Sequence, residues 1–257
     1  MTPEQIILLL ETSAKQYTSI EAKINVTGYI TENEEEILHG VYEITTRWSH
    51  DKEYWNIYRT IYPTSNFPHT REEVITYAFT DQQTKKLTQE HGKTPRGLVR
   101  LGGKRKADQS FLTINMALWE YCDVLWKRIH DLHDIAVKYD RFHNLYELKV
   151  KVQNPIDAAY IFYLDPTKKF IPVKKEIIEN ESLVKHIKCS QFQNVNNVWI
   201  PYLYSCTEFR ERRMQNYEVE EVSANIYIEE RLFDFDFPPD TIIIDEIADI
   251  KQKFKMQ

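Results

Sequence analysis

The first residues of the chain combine a helix-start signal with a stripe of apolar positions. Thr2 supplies a capping hydroxyl, Pro3 suits the first helical position, and Gln5 follows three residues after Thr2. The positions that one helical face would bury then recur near the 3.6-residue period, at Ile6, Leu9, Leu10, Ser13, Ala14 and Tyr17. The pattern predicts an amphipathic helix over residues 2–17 that packs on a larger element.

From Ile20 the apolar period changes to two. Ile20, Ala22, Ile24 and Val26 alternate with polar residues, which is typical of a strand with one solvated face. Further strand-like segments follow at residues 37–48, 54–62, 74–80, 86–90 and 97–101. Because the polar connections between most of them are short, the segments are predicted to pair as an antiparallel meander.

A second helical stripe interrupts the strands and predicts a helix over residues 117–138. Its apolar positions are Leu118, Cys122, Leu125, Trp126, Ile129, Leu132 and Ala136. Strands are predicted again at residues 145–152, 159–164, 171–178, 183–192, 198–213, 219–229 and 232–237. No linker rich in Gly, Ser or Pro divides the chain. We therefore expect a single, mainly β domain over residues 1–257, with ten or more antiparallel strands and two principal helices.

Composition and charge exclude several classes of protein. The net charge of −6 disfavours a nucleic-acid partner, because binding to phosphates needs a concentrated positive surface. The longest apolar run, residues 6–10, is far shorter than the roughly 18 apolar residues of a membrane-spanning helix. Met1 leads directly into the first helix, which predicts either a cytoplasmic protein or a mature form whose leader has been removed.

One stretch of the chain, residues 93–106, is basic. Gly97 and Gly102 have the spacing of the two glycines in a phosphate-binding loop, but Gly103 takes the position of the lysine. The stretch therefore departs from that motif. Two interpretations stay open: a loop that touches anionic lipid headgroups, and a solvated connection between a strand and a helix.

The three cysteines do not have the spacing of a zinc site. Cys189 and Cys206 lie almost symmetrically about the predicted turn at residues 194–197, so they face each other or sit one diagonal step apart. They form a candidate disulfide, with two buried thiols in a reduced protein as the equal alternative. Cys122 lies on the apolar stripe of the predicted second helix and is interpreted as a core residue.

Two histidines and two aspartates form the candidate metal site of the sequence. His130 and His133 are three residues apart, and Asp131 and Asp134 follow them directly. On a helix this spacing can bring two imidazoles to one metal ion. The alternative, a solvated helix face of alternating charge, is favoured because charged helix faces usually face solvent. The cluster also lacks the glutamate of an HExxH motif.

Large apolar side chains recur at alternate positions of the predicted strands. On a curved sheet such alternation produces one concave apolar face, which is either filled by the protein's own side chains or kept open for a ligand. The candidate lining residues are Ile24, Val26, Arg47, Trp48, Trp55, Ile57, Tyr77, Phe79, Phe233 and Phe235.

The end of the chain carries a run of the form F-x-F-x-F-P-P-x-T-x-x-x-D, formed by Phe233, Phe235, Phe237, Pro238, Pro239, Thr241 and Asp245. With the order helix, strands, helix, strands, this run resembles the LolA-like superfamily of periplasmic lipoprotein carriers and outer-membrane lipoprotein-sorting proteins. The resemblance implies a curved antiparallel sheet that forms an open, incomplete β-barrel covered by helices. It also implies that Arg47 is a loose counterpart of the carrier's lid-locking arginine, although Thr46 to Ser49 lacks the carrier's proline.

Three functions are consistent with the sequence. The first is a non-catalytic carrier of the bacterial cell envelope that holds lipid acyl chains or lipoprotein in its concave apolar cavity. This function needs no covalent chemistry. The second is a protein–protein interaction or sensor module of the same fold with a filled core. The third is a metal-dependent hydrolase that uses His130 and His133. We expect the first, with no cofactor, as a monomer in the periplasm or envelope, with lipid or another envelope protein as partner.

Overall fold

The structure is a computed structural model that describes residues 1–49, 52–65, 68–80, 82–101, 114–128, 130–153, 157–246 and 250–253. Three α-helices lie in these residues: α1 (Pro3–Lys15), α2 (Ile114–Trp119) and α3 (Cys122–Arg128). The strands of the described residues are β1 (Ser19–Glu32), β2 (Glu35–Ser49), β3 (Lys52–Ile61), β4 (Arg71–Phe79), β5 (Gln83–Glu90), β6 (Arg96–Leu101), β7 (Ile135–Asp140), β8 (Leu145–Val152), β9 (Ala158–Asp165), β10 (Ile171–Glu179), β11 (Ser182–Val195), β12 (Val198–Glu208), β13 (Arg213–Ala224), β14 (Ile242–Asp245) and β15 (Ile250–Lys253).

The chain divides into two compact units. The first unit comprises Met1–Tyr17, Tyr29–Ile37 and Leu112–Glu218, and the second comprises Thr18–Gly28, Leu38–Phe111 and Val219–Gln257. The strands β1, β2 and β13 contribute residues to both units. The expectation of a single domain over residues 1–257 stays a prediction.

In the first unit the strand order is β13-β12-β11-β10-β9-β8-β7. Every neighbouring pair in this run is antiparallel, because short turns connect successive strands. The core of the unit lies between the helices α1 and α3 and the strands β7 to β9. Its buried members are Ile6, Ile7, Leu10, Cys122, Leu125, Ile135, Leu148, Val150, Phe162 and Leu164.

The helix α1 forms where the sequence predicts it. The Thr2 side chain accepts a hydrogen bond from the Gln5 backbone N–H, and the Gln5 side chain accepts one from the Thr2 backbone N–H, which completes a capping box. Ile6, Ile7 and Leu10 are fully buried. The helix is therefore held by its cap and by the packing of one apolar face.

In the second unit the strand order is β15-β14-β6-β5-β4-β3-β2-β1-β13. The predicted alternation in β1 is confirmed, since Ile20, Ala22, Ile24 and Val26 are at most 2% exposed. The pairs from β2 to β6 are antiparallel, whereas β14 pairs with β6 in parallel. The last strands of the chain thus complete a sheet whose other members come from its first half.

The predicted long helix over residues 117–138 is wrong. The short helices α2 and α3 occupy its first half and are separated at Tyr121, which has a φ of 69° that an α-helix cannot contain. Residues 135–140 form β7, in which Val137 lies opposite Leu148 of β8. Pairing with β8 overrides the helical spacing of the apolar residues in this part of the chain.

The predicted final strand over residues 232–237 is also wrong. Residues 230–233 form a 3-10 turn and Asp234 is extended, but residues 234–238 lie outside the ladders of the described strands. The apolar and polar residues of this segment do alternate between buried and exposed positions, because Phe233 is 3% exposed while Asp234 and Asp236 are exposed. Side chains replace ladder partners here: Asp234 accepts from the Phe235 N–H, and Lys85 reaches the Phe235 carbonyl oxygen.

The predicted fold class is confirmed as mainly β, with few helices and mostly antiparallel pairing. The described strands of each unit do not close into a ring. The finer expectation, an incomplete barrel that is covered by helices, stays a prediction.

Candidate apolar binding face

Five of the predicted lining residues share one side of the sheet in the second unit. Trp48 lies opposite Glu53, Glu53 opposite Phe79, and Trp55 opposite Tyr77 in the ladders of β2, β3 and β4. Directly opposite residues point to the same side of a sheet, as do residues two apart along a strand. We call the side that carries Trp48, Trp55, Ile57, Tyr77 and Phe79 the tryptophan face, and the other side of β2 to β6 the opposite face.

The aromatic rings of the tryptophan face form one cluster. The Trp55 ring centroid lies 5.8 Å from that of Tyr77 and 5.3 Å from that of Phe79, and Tyr77 and Phe79 stack at 5.6 Å. The indole N–H of Trp55 donates to Glu53 Oε1 at 2.8 Å, which satisfies the one polar atom of the buried ring.

Burial varies along this face. Trp55 and Ile57 are 1% and 4% exposed, so protein atoms already cover them. Trp48, Tyr77 and Phe79 are half-buried. The end of the face that carries these three rings is therefore accessible, whereas the middle is closed.

Arg47 lies on the opposite face, next to Trp48 in sequence but on the other side of the strand. It pairs across the ladder with Tyr54, whose ring its guanidinium covers at 5.3 Å, and its Nε donates to Glu21 Oε1 at 2.7 Å. The register thus separates Arg47 from the aromatic cluster that it was expected to accompany.

Phe233 and Phe235 belong to a segment that runs over the opposite face. Lys85, which lies opposite Ala78 on that face, binds Asp234 at 2.7 Å. Further along, the Phe237 ring rests on Gly97, whose ladder partner Leu87 is on the same side. The segment that carries the two predicted phenylalanines therefore lies on the side of the sheet away from Trp55 and its neighbours.

Ile24 and Val26 are buried in β1, at 1% and 2% exposure. Ile24 also lines a cavity of about 190 Å³ in the second unit, whose other lining residues are mostly polar: Lys23, Asn25, Glu43, Ile44, Thr45, Asn56, Tyr58 and Glu220. A larger cavity of about 310 Å³ lies in the first unit. Its lining residues are Tyr29, Thr31, Glu36, Thr207, Glu208, Phe209, Arg212, Arg213 and Met214. Neither cavity is lined by a residue of the aromatic cluster.

Sequence reasoning missed the ion cluster at the other end of the tryptophan face. Arg59 lies opposite Glu73, and Glu73 lies opposite Glu90. Arg59 and Arg71 both donate to the Glu73 carboxylate, and Arg71 also lies 3.3 Å from Glu90. The sequence does contain a signal for this cluster. Arg59 is two residues beyond Ile57 and Glu73 is two residues before Ile75, so each shares the side of the sheet with that apolar residue.

The candidate disulfide is not formed in the structure. Cys189 lies opposite Tyr204 and Cys206 opposite Ile187, so the two thiols are one diagonal step apart, and both are free and buried. Diagonal neighbours lie about 7–8 Å apart, beyond the usual range of roughly 4.4–6.8 Å between disulfide-bonded Cα atoms. Burial raises the pKa of both thiols, and that of Cys122, to about 12.

The histidine cluster does not form the arrangement that a hydrolase would need. His130 is exposed, and the His133 side chain is 88% exposed with its Nε2 2.7 Å from Asp131. Asp131 and Asp134 both bind Arg128. Among the residues that the structure describes, no group of three or more His, Cys, Asp or Glu side chains is placed to hold a metal ion.

Two further expectations concern membranes and the basic stretch. Within the described ranges, no helix is both long enough and apolar enough to span a bilayer. In the basic stretch, residues 96–101 form β6, and residues 102–106 lie outside the described part of the chain.

Comparisons with known proteins address the fold. No protein-family model matches the chain, and no curated protein matches it. A solved protein of the DUF1329 family from Desulfovibrio piger is similar with a TM-score of 0.52 and 9% identity, covering 90% of this chain and 95% of its own. A LolA superfamily protein from Nitrosomonas europaea is similar with a TM-score of 0.48 and 10% identity, covering 91% and 98%. An outer-membrane lipoprotein-sorting protein domain from Vibrio parahaemolyticus is similar with a TM-score of 0.46 and 9% identity, covering 90% and 97%.

At these identities the likeness concerns the fold alone. The structural neighbours of the chain include LolA superfamily and outer-membrane lipoprotein-sorting proteins, which are the proteins that the sequence resemblance names.

Proposed function

We propose that the chain is a non-catalytic binding protein of the bacterial cell envelope that holds an acyl chain of a lipid or lipoprotein against the tryptophan face. The observation that carries the proposal is the aromatic cluster of Trp55, Tyr77 and Phe79, which continues into the apolar residues Ile57 and Ile75. In this proposal the protein acts as a monomer and binds its ligand without catalysing a reaction.

Binding to this face is passive. Each methylene that leaves water contributes about 0.8 kcal/mol, so a long acyl chain supplies enough free energy for reversible binding. The half-buried rings of Trp48, Tyr77 and Phe79 mark the end at which the ligand enters. Because Ile57 is 4% exposed, the side chains that cover it must move before the ligand reaches the middle of the face.

Native mass spectrometry and a fluorescent fatty-acid probe test the proposal. We expect protein from the producing cells to carry a co-purified lipid, and the Tyr77→Ala/Phe79→Ala variant to bind the probe roughly tenfold more weakly. The control Phe142→Ala removes a ring that is 98% exposed and leaves binding unchanged. Lipid-free protein that also ignores the probe contradicts the proposal.

The burial of Trp55 and Ile57 favours a second candidate, in which the face is a filled core and the protein acts as an interaction or sensor module for another envelope protein. In that case Tyr77→Ala/Phe79→Ala lowers the stability of the protein, and neither the wild type nor the variant takes up the probe. Circular dichroism during urea unfolding, beside the probe titration, separates the two candidates.

A further inference from the structure

We propose that the ligand of the tryptophan face carries an anionic headgroup. Arg59 and Arg71, at the end of the face away from the aromatic cluster, bind this headgroup together with Arg96, which lies level with Ile75 on β6. This inference rests on the proposed function and adds the chemical class of the ligand.

The three arginines lie on the same side of the sheet as the aromatic cluster. Arg59 is two residues beyond Ile57 in β3, and Arg71 is two residues before Glu73 in β4. Arg96 lies opposite Thr88 of β5, which lies opposite Ile75. A ligand that lies along this face therefore meets the rings at one end and Arg59 and Arg71 at the other, with Arg96 beside the middle. Arg100, which lies opposite Thr84 and so level with Phe79, is at the ring end.

The burial of the ion cluster leaves its positive side outward. The Glu73 side chain is 1% exposed, whereas those of Arg59 and Arg71 are 30% and 46% exposed. The carboxylate thus lies beneath the two cations that it holds, with the Nη2 of Arg71 2.7 Å from Glu73 Oε2. An ordinary surface ion pair exposes both partners, but this cluster presents mainly guanidinium groups.

The tryptophan face as a whole, the ion cluster included, also carries more positive than negative side chains. On strands β2 to β6 the ladders place five cationic side chains on the tryptophan face, against three carboxylates: Arg59, Arg71, Lys86, Arg96 and Arg100, against Glu53, Glu73 and Glu90. The chain as a whole has a net charge of −6. An excess of positive charge beside the most aromatic surface of an acidic protein favours a ligand that is apolar and anionic.

The distance between the two ends suits an amphiphile. Trp55 and Arg59 are four residues apart on β3, which corresponds to roughly 14 Å at about 3.4 Å per strand residue. Guanidinium groups bind carboxylate and phosphate oxygens through paired hydrogen bonds, so either headgroup satisfies the site. The ligand class is therefore an acyl lipid with a carboxylate or phosphate head.

Matched ligands and matched variants test the inference. Palmitate, hexadecyl phosphate and uncharged monopalmitoylglycerol share an alkyl chain and differ in the headgroup. The variant Arg71→Gln/Arg96→Gln removes two exposed cations, and Arg141→Gln/Arg231→Gln removes two exposed cations that lie elsewhere. Calorimetric titration of the full chain with each ligand measures the affinities, and circular dichroism checks that the variants are folded.

We expect Arg71→Gln/Arg96→Gln to bind the charged ligands roughly tenfold more weakly and the neutral ligand unchanged, with no effect of the control variant. A larger loss for one of the two anions identifies the preferred headgroup. Equal affinity of the wild type for the charged and neutral ligands, or an equal loss in both variants, overturns the inference and leaves the proposed function standing. If none of the three ligands binds the wild type, the proposed function fails and this inference fails with it.

Discussion

The ring of Phe237 fills the space that a side chain at residue 97 would occupy. A Cβ built on Gly97 lies 2.7 Å from Cε1 of Phe237 and 3.1 Å from Cγ1 of Ile243, closer than carbon atoms approach without strain. The glycine in β6 therefore lets the C-terminal aromatic segment lie directly on the opposite face.

Replacement of Gly97 tests this contact. We expect Gly97→Ala to lower the free energy of unfolding by about 1–3 kcal/mol, because the added methyl group overpacks a closed contact. Gly28→Ala is the matched control, since its nearest neighbour would lie at an ordinary 3.5 Å and should cost little. Urea unfolding measures both variants, and equal stabilities would show that Phe237 moves aside freely.

The second prediction concerns the buried carboxylate of Glu73. We expect Glu73→Gln to destabilise the protein by about 2 kcal/mol, because Arg59 and Arg71 lose a charged acceptor. The neighbouring Glu72→Gln changes an exposed side chain on the opposite face and should have almost no effect. Thermal unfolding measures the stability of the two variants. Equal losses of stability in both would mean that the ion cluster does not stabilise the fold.

The third prediction concerns thiol reactivity. Since burial raises the pKa of Cys122, Cys189 and Cys206 to about 12, none of them should react with a disulfide reagent at about pH 8 in the native protein. All three should react after denaturation without a reductant. Reaction of a single thiol in denaturant would instead show that two of the three cysteines are bonded.

The fourth prediction concerns acid stability. Burial raises the pKa of Asp165, but hydrogen bonds from Lys168 and Thr167 lower it more, so its pKa lies below the ordinary value. The carboxylate then contributes stability at a pH above the ordinary value, and this contribution is lost as the pH falls through the folded-state pKa.

We expect Asp165→Asn to lower the free energy of unfolding by about 1–3 kcal/mol near neutral pH and to remove part of the loss on acidification from about pH 6 to about pH 2. The exposed Asp157→Asn variant is the control and should follow the wild type. The same acid sensitivity in all three proteins would contradict the assignment to Asp165.

The sequence predicts the elements whose signals are local. The capping residues Thr2 and Gln5 act within one helical turn, and the alternation in β1 needs only one buried face, so both are correct. The turn between β12 and β13 was missed, and residues 198–213 were predicted as one strand. Arg212 turns the chain there with a φ of 48°, although arginine gives no turn signal.

The grouping of some candidate lining residues on one side of the sheet also follows from a local signal. Parity along a strand correctly groups Trp55 with Ile57, and Tyr77 with Phe79. The side on which a separate segment packs depends on long-range contacts, such as Lys85 with Asp234, which no local pattern contains. That is why the sequence did not show that the segment of Phe233 and Phe235 runs over the opposite face, nor which charged side chains surround Glu73.

The parallel pairing of β6 with β14 has a consequence for how the protein is made. Ile242 of β14 lies opposite Arg96 of β6. Because β14 comes much later in the sequence, β6 leaves the ribosome long before its partner strand is synthesised. At about 5–20 residues per second, the hydrogen-bonding edge of β6 waits for its natural partner through the synthesis of every strand from β7 to β13. During that interval the nascent chain offers an open edge to chaperones and to other nascent chains.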